Sequence, residues 1–157
     1  MSEPSTNKWS KLIDDLEQFK AYVFPLRMNI LSKPAVHVFA DASTHALGTV
    51  AYLLEAVSVN LVMVKSRLVP ISTPSLPQLE LTALNIAAKL AKFVKCTYCK
   101  ELDIWNTRLW TDSNIVICNW IKQASHKKQC VNQRINNIKT LCPEGTISHV
   151  SGKEKPS

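Results

Sequence analysis

The chain has 157 residues, 46% of them hydrophobic and 20% charged, enough apolar material for one globular domain with its own core and not the composition of a disordered chain. Nineteen Lys and Arg against twelve Asp and Glu give a formal charge of +7, which favours polyanionic partners. No apolar run reaches the roughly 18 to 20 residues that cross a bilayer, so no membrane-spanning helix is expected and the chain reads as soluble.

Residues 1–7 are polar, with a Pro and two Ser, and read as a mobile tail. Trp9, Leu12, Ile13, Leu16, Phe19 and Val23 recur at three- and four-residue steps and predict an amphipathic helix that ends near Pro25 and packs on the main domain. Apolar, partly alternating runs at Val36–Asp41, Leu47–Leu54 and Val59–Val64 predict three strands, the first two joined by a polar turn at Ser43–His45. Connections this short suit an antiparallel meander.

The Pro-rich stretch Pro70–Pro77 interrupts the strands, and helical periodicity runs from Leu79 to Val94 with Pro77 suited to a first turn. A short strand, Arg108–Thr111, leads to a helix through about Lys122 carrying Ile115, Cys118 and Ile121. Beyond a basic loop at His126–Lys128, Val131, Ile135, Ile138 and Leu141 mark another helix, stopped by Pro143 and Gly145, and Thr146–Val150 reads as a last strand.

The five cysteines, at 96, 99, 118, 130 and 142, form an odd set in a chain whose N-terminus has no secretory signal, which suggests a reducing, intracellular setting, cytoplasmic or nuclear. Cys96 and Cys99 have the spacing of a zinc half-site, but no second CxxC or closely spaced His pair follows.

Three carboxylates carry the chemistry. Asp41 and Asp112 each stand at the end of a predicted strand, where turn and helix capping are the ordinary roles. If the first and fourth strands are parallel neighbours, however, the two meet beyond their carboxyl ends, where sites gather in such sheets. Glu80 falls within the apolar stripe of Ala83, Leu84, Ala87, Ala91 and Val94, so a carboxylate faces the packed side and needs a cation or hydrogen-bond donors. A first-turn position beside the helix dipole would be its ordinary explanation. Three converging carboxylates repel one another unless a metal ion holds them, and hard oxygen ligands suit Mg²⁺ or Mn²⁺ and phosphodiester hydrolysis.

The segments around these residues are distinctive: Asp41-Ala-Ser-Thr-His-Ala-Leu-Gly48, Lys65-Ser-Arg67-Leu-Val-Pro70, Leu76-Pro-Gln-Leu-Glu80-Leu, Leu109-Trp-Thr-Asp112-Ser and His149-Val-Ser-Gly152. Together they resemble the RNase H region of Pao/BEL-type retrotransposon polyproteins, from about Val36 to the C-terminus. The resemblance implies an α/β RNase H-like fold, a five-stranded mixed sheet of order 3-2-1-4-5 flanked by helices. It implies an enzyme of the ribonuclease H family, with Asp41, Glu80 and Asp112 as catalytic metal ligands that hold Mg²⁺ and cut RNA in an RNA–DNA hybrid. Residues 8–34 correspond to the preceding helix and connection, and residues 35–157 to the domain itself. Where the family carries Asn-Pro-Ala-Asp, with a fourth ligand, this chain reads Lys155-Pro156-Ser157. The fourth carboxylate and the last helix therefore have no counterpart, and cleavage is expected to be weak or absent.

Lys89 and Lys92 on the central helix, with Lys127 and Lys128 in the basic loop, are the candidate phosphate contacts, although a solvated charge face explains such residues equally well. Other parts of a retroelement polyprotein are the further partners implied. Trp110 and Trp120, inside a predicted strand and helix, suit core packing better than base stacking, and His149 suits a structural role better than a proton shuttle. The competing reading is a nucleic-acid- or protein-binding module of the same ancestry that has lost efficient catalysis.

Overall fold

The computed structural model describes residues 13–14, 33–70, 74–121, 129–143 and 146–151. Five strands, β1 (Ala35–Ala42), β2 (Ala46–Leu54), β3 (Val59–Leu68), β4 (Asn106–Thr111) and β5 (Thr146–His149), form one sheet of order β3-β2-β1-β4-β5. β1 pairs antiparallel with β2 and β2 with β3, whereas β1 and β4, and β4 and β5, are parallel. The helices are α1 (Leu76–Tyr98) and α2 (Gln129–Leu141), and a π-helical segment, Val116–Ile121, follows β4. No helix of the described residues is long and apolar enough to cross a membrane. Of the predicted Trp9–Pro25 helix, Ile13 and Asp14 are helical and exposed, and the rest lies outside the described residues.

Strand alternation sorts the sheet into two faces. Val36, Val38 and Ala40 of β1, Leu47, Ala51 and Leu53 of β2 and Leu109 of β4 are buried in one core with Leu81, Leu84, Ala87, Ala91 and Val94 of α1. Fully burying a Leu or Val of this kind contributes about 2 kcal/mol. The predicted stripe on α2 also holds: Val131, Ile135 and Ile138 are buried, and α2 packs on α1. Burial pushes the Cys142 thiol up despite Lys95 and Lys92 nearby, so it stays protonated and donates to Ala88 O at 3.6 Å.

Three elements depart from the sequence reading. β3 runs four residues beyond Val64, through Lys65 and Arg67 to Leu68, because its pairing with β2 continues to Ala46. As an edge strand it is largely exposed, and the two cations are the usual guard against pairing with another chain. α1 starts at Leu76, not Leu79: Ser75 is the N-cap, Pro77 lies in the first turn, and Gln78 Oε1 accepts the Ser75 N–H at 3.2 Å. After β4 the expected α-helical stripe is replaced by the π-helical segment, in which Val116 and Ile117 are buried while Cys118, like Ile115 just before it, is exposed. The wider π turn changes which residues share a face.

The other face of the sheet carries an aromatic row. Trp110 stacks on Phe39 (centroids 5.9 Å, interplanar angle 10°), and Phe39 meets the edge of Tyr52 at 6.0 Å. Trp110 is therefore half-buried on the face opposite the core, not the core residue its strand position suggested. Its Nε1–H donates to His37 Nδ1 at 3.2 Å, which requires that nitrogen to be unprotonated. Burial, and then the Arg108 guanidinium, hold His37 below its ordinary value of 6.5. As pH falls the unfolded chain takes up this proton before the folded one, so the associated stability is complete above about pH 6.5 and is lost progressively below it. The urea midpoint of the wild type should accordingly fall more between about pH 7.5 and 5.5 than that of His37→Gln, which keeps an acceptor for Trp110 but does not titrate; parallel declines would show that His37 is not the group responsible.

Candidate active site

The strand register builds the centre of the site. In the parallel β1–β4 pair, Ala40 lies opposite Thr111, so Asp41 and Asp112 follow at the adjoining carboxyl ends of the two central strands. Asp41 is exposed and Asp112 half-buried. On its other side Asp41 pairs with Gly48 of β2, and a Cβ added to Gly48 would meet nothing within 4 Å. Asp41 is thus solvent-accessible, with room for at least a methyl group beside it. The turn that follows is tied down locally, since Ser43 Oγ accepts the N–H groups of His45 and Ala46 at 3.2 and 3.0 Å.

Glu80 reaches the same region from α1. Because the helix begins at Leu76, its first turn holds no acidic residue, and Glu80 lies beyond the reach of the first-turn dipole effect that would have been its ordinary explanation. It is half-buried, and its Oε2 accepts a hydrogen bond of 2.5 Å from Ser113 Oγ. The inward carboxylate therefore has the donor that its position on the stripe demanded.

Ser113, 5% exposed, is the residue that the sequence reading passed over. Its Oγ accepts the Val116 N–H at 3.2 Å, and its own N–H donates to Thr111 Oγ1 at 3.2 Å. It is thus Ser113, not Asp112, that caps the segment after β4. A Ser placed directly before a helical run was the available signal. The turn is also held from the end of β5 and the residue after it: the Val150 N–H donates to Thr111 O at 3.0 Å, and His149 Nε2 stands 3.2 Å from Asp112 O. His149 is exposed yet tied to backbone, a structural contact of the kind expected of it.

Of the candidate basic residues, the two that are described are not gathered with the carboxylates. Lys89 and Lys92 are exposed, but they stand about 180° and 120° round α1 from Glu80, roughly 13 and 18 Å along its axis. Lys127, Lys128 and the side chain of Trp120 lie outside the described residues. Cys96 and Cys99 are both exposed, and Cys99 Sγ donates to Cys96 O at 3.0 Å. Among the described residues no group of three or more His, Cys, Asp or Glu side chains is arranged so as to hold a metal ion. The backbone brings Asp41 and Asp112 to adjoining strand ends, and the Ser113 bond ties Glu80 to the same turn. As a donor set they offer only carboxylate oxygens, which suit a hard divalent cation better than zinc.

A mixed sheet of order 3-2-1-4-5, with helices packed on it and carboxylates at the adjoining ends of its central parallel pair, is an RNase H-like fold. Solved structures share it. RNase H1 from the halophilic archaeon Halobacterium salinarum matches with 13% identity and a TM-score of 0.52 over 78% of this chain and 88% of that one. LC11-RNase H1, in complex with an RNA/DNA hybrid, gives 12% identity and 0.54 over 78% and 88%. The foamy viral protease-reverse transcriptase, in complex with dsDNA, gives 13% and 0.59, covering 100% of this chain and 30% of that one. No curated protein matches the chain in sequence. Residues 1–113 match the Pao retrotransposon-like RNaseH-like domain; the chain belongs to that family and is an RNase H-like domain of retroelement origin.

The hold on the Asp112 turn can be tested without any ligand. Thr111→Val keeps shape in a site only 2% exposed but removes the acceptor for the Ser113 N–H, and should lower the unfolding free energy by about 1–3 kcal/mol in a urea titration. A variant as stable as the wild type would mean that this bond does not hold the turn.

Proposed function

We propose that this domain binds RNA–DNA hybrids and hydrolyses their RNA strand slowly, in a reaction that depends on Mg²⁺ or Mn²⁺, with Asp41, Glu80 and Asp112 as the residues that would hold the ion. The observation that carries the reading is the parallel β1–β4 register, which sets Asp41 beside Asp112, together with the Ser113 bond that ties Glu80 to the same turn. A hard divalent ion, when bound, supplies activation of water and stabilisation of the leaving oxygen. The chain's own residues do the rest: Asp41 is exposed, so that a backbone phosphate can approach it, and the Asp112 turn is braced from the end of β5. Lys89, Lys92, Lys127 and Lys128 would contact phosphates, reading duplex shape and 2′-hydroxyls in preference to base identity.

The structural neighbours support the choice of partner, since LC11-RNase H1 is bound to an RNA/DNA hybrid. The foamy viral match, in which this chain spans 30% of the other, supports a role beside other parts of a retroelement polyprotein. In this reading residues 35–157 are the RNase H-like unit, residues 8–34 lead into it, and the setting is intracellular, cytoplasmic or nuclear.

Slow turnover is expected because, among the described residues, no group of three or more acidic side chains is arranged to hold a metal ion. The same observation favours a second reading, a binding module of this ancestry that holds nucleic acid without cutting it. A labelled hybrid assayed with Mg²⁺ and with Mn²⁺ separates the two. We expect cation-dependent cleavage confined to the RNA strand, reduced on the order of 100-fold by Asp41→Asn. Hybrid binding without cleavage would favour the second reading, and cleavage that persists in Asp41→Asn would remove the proposed site.

A further inference from the structure

We infer that Ser113 is a positioning residue for Glu80: its hydroxyl fixes the carboxylate that the site proposed above would offer to a divalent cation, and the inference rests on that reading of the site. The residues lie 33 positions apart in sequence, so the bond is a tertiary connection between the first part of α1 and the turn after β4. A serine hydroxyl has one proton to donate and two lone pairs. Capping the segment after β4 uses only a lone pair, for the Val116 N–H. The proton goes to Glu80 Oε2 at 2.5 Å, within the range of charge-assisted O–H···O⁻ bonds.

That division of labour separates the positioning role from the capping role. Asp, Asn or Thr would cap as acceptors too, but Asp has no proton for Glu80 and would set a like charge beside it. The hydroxyl cannot rotate away without losing one of its two partners, because Ser113 is 5% exposed and its N–H is held by Thr111 Oγ1. One carboxylate oxygen of Glu80 is therefore committed to Ser113, and the orientation of the other follows from it. Partners that orient a metal-ligating carboxylate typically change cation affinity 10- to 100-fold when removed.

The test uses Mn²⁺ alone, titrated calorimetrically into the full chain, with folding of each variant checked by circular dichroism. Ser113→Ala should weaken Mn²⁺ binding about 10- to 100-fold, whereas Ser113→Thr, which keeps the hydroxyl, should stay within a few-fold of wild type. In a Glu80→Gln background Ser113→Ala should add little further loss, since the carboxylate it positions is gone. If Ser113→Ala does not fold, Ser113→Cys, close in size but a weak donor, should show the same loss. Wild-type affinity in the folded Ala or Cys variant would overturn the inference, and so would an equal loss with and without Glu80, the mark of general damage to the turn. A wild-type chain that takes up no Mn²⁺ at all would instead bring down the cation reading of the site, and this inference with it.

Discussion

The parallel pairing of β1 with β4 is the constraint on which the other features depend. Two parallel strands cannot be joined by a tight turn and need a crossover, normally a helix laid across the sheet. Here the chain leaves β1, forms the β2–β3 meander, and returns through α1, whose Leu84, Ala87 and Ala91 share a core with Val36, Val38 and Leu109. That burial fixes the register, because side chains alternate between faces. A one-residue slip of β4 would turn Leu109 and Thr111 out of the core and bring Arg108 and Trp110 in. The same register that satisfies the core places Asp41 and Asp112 at adjoining strand ends. The carboxylate pair is thus held by hydrophobic burial several residues away.

What could be read from the sequence follows from how local each signal is. The alternation in β1 and β2 and the stripes on α1 and α2 are properties of consecutive residues, and the structure follows them. Asp41 and Asp112 could be singled out as strand-end carboxylates, but their adjacency depended on a pairing between strands some seventy residues apart (112 − 41 = 71), which only the family resemblance supplied. The edge strand ran past its expected end because Lys65 and Arg67 look like loop residues, yet pair normally where the outer edge faces solvent. The segment after β4 broke its expected period because a π turn shifts every later residue round the axis, which an α-helical stripe does not anticipate. Ser113 was not legible in the same way: nothing local showed that a hydroxyl one residue beyond Asp112 would meet Glu80.

Glu80 shows how a polar group on an apolar stripe is tolerated. A half-buried carboxylate without a donor would cost more than its burial returns. Ser113 meets that need with one short bond, and the turn carrying Ser113 is itself held by Thr111 through the Ser113 N–H. The arrangement stabilises the fold before any ligand is considered. It also brings a carboxylate to the sheet edge where Asp41 and Asp112 end, so one bond serves core and site together.

β5 has a larger part than its four residues suggest. It contributes none of the three carboxylates, yet Val150 and His149 contact the backbone oxygens of Thr111 and Asp112. Those contacts add to the pairing of β4 with β1 and to the Ser113 cap in securing the end of β4. Because β4–β5 pairing is parallel, β5 also ends at the edge of the sheet where the carboxylates lie. The position of Asp112 is therefore set from both neighbouring strands. A change that weakened β5 would reach the site through the backbone of Asp112, even though no side chain of β5 lies among the proposed ligands.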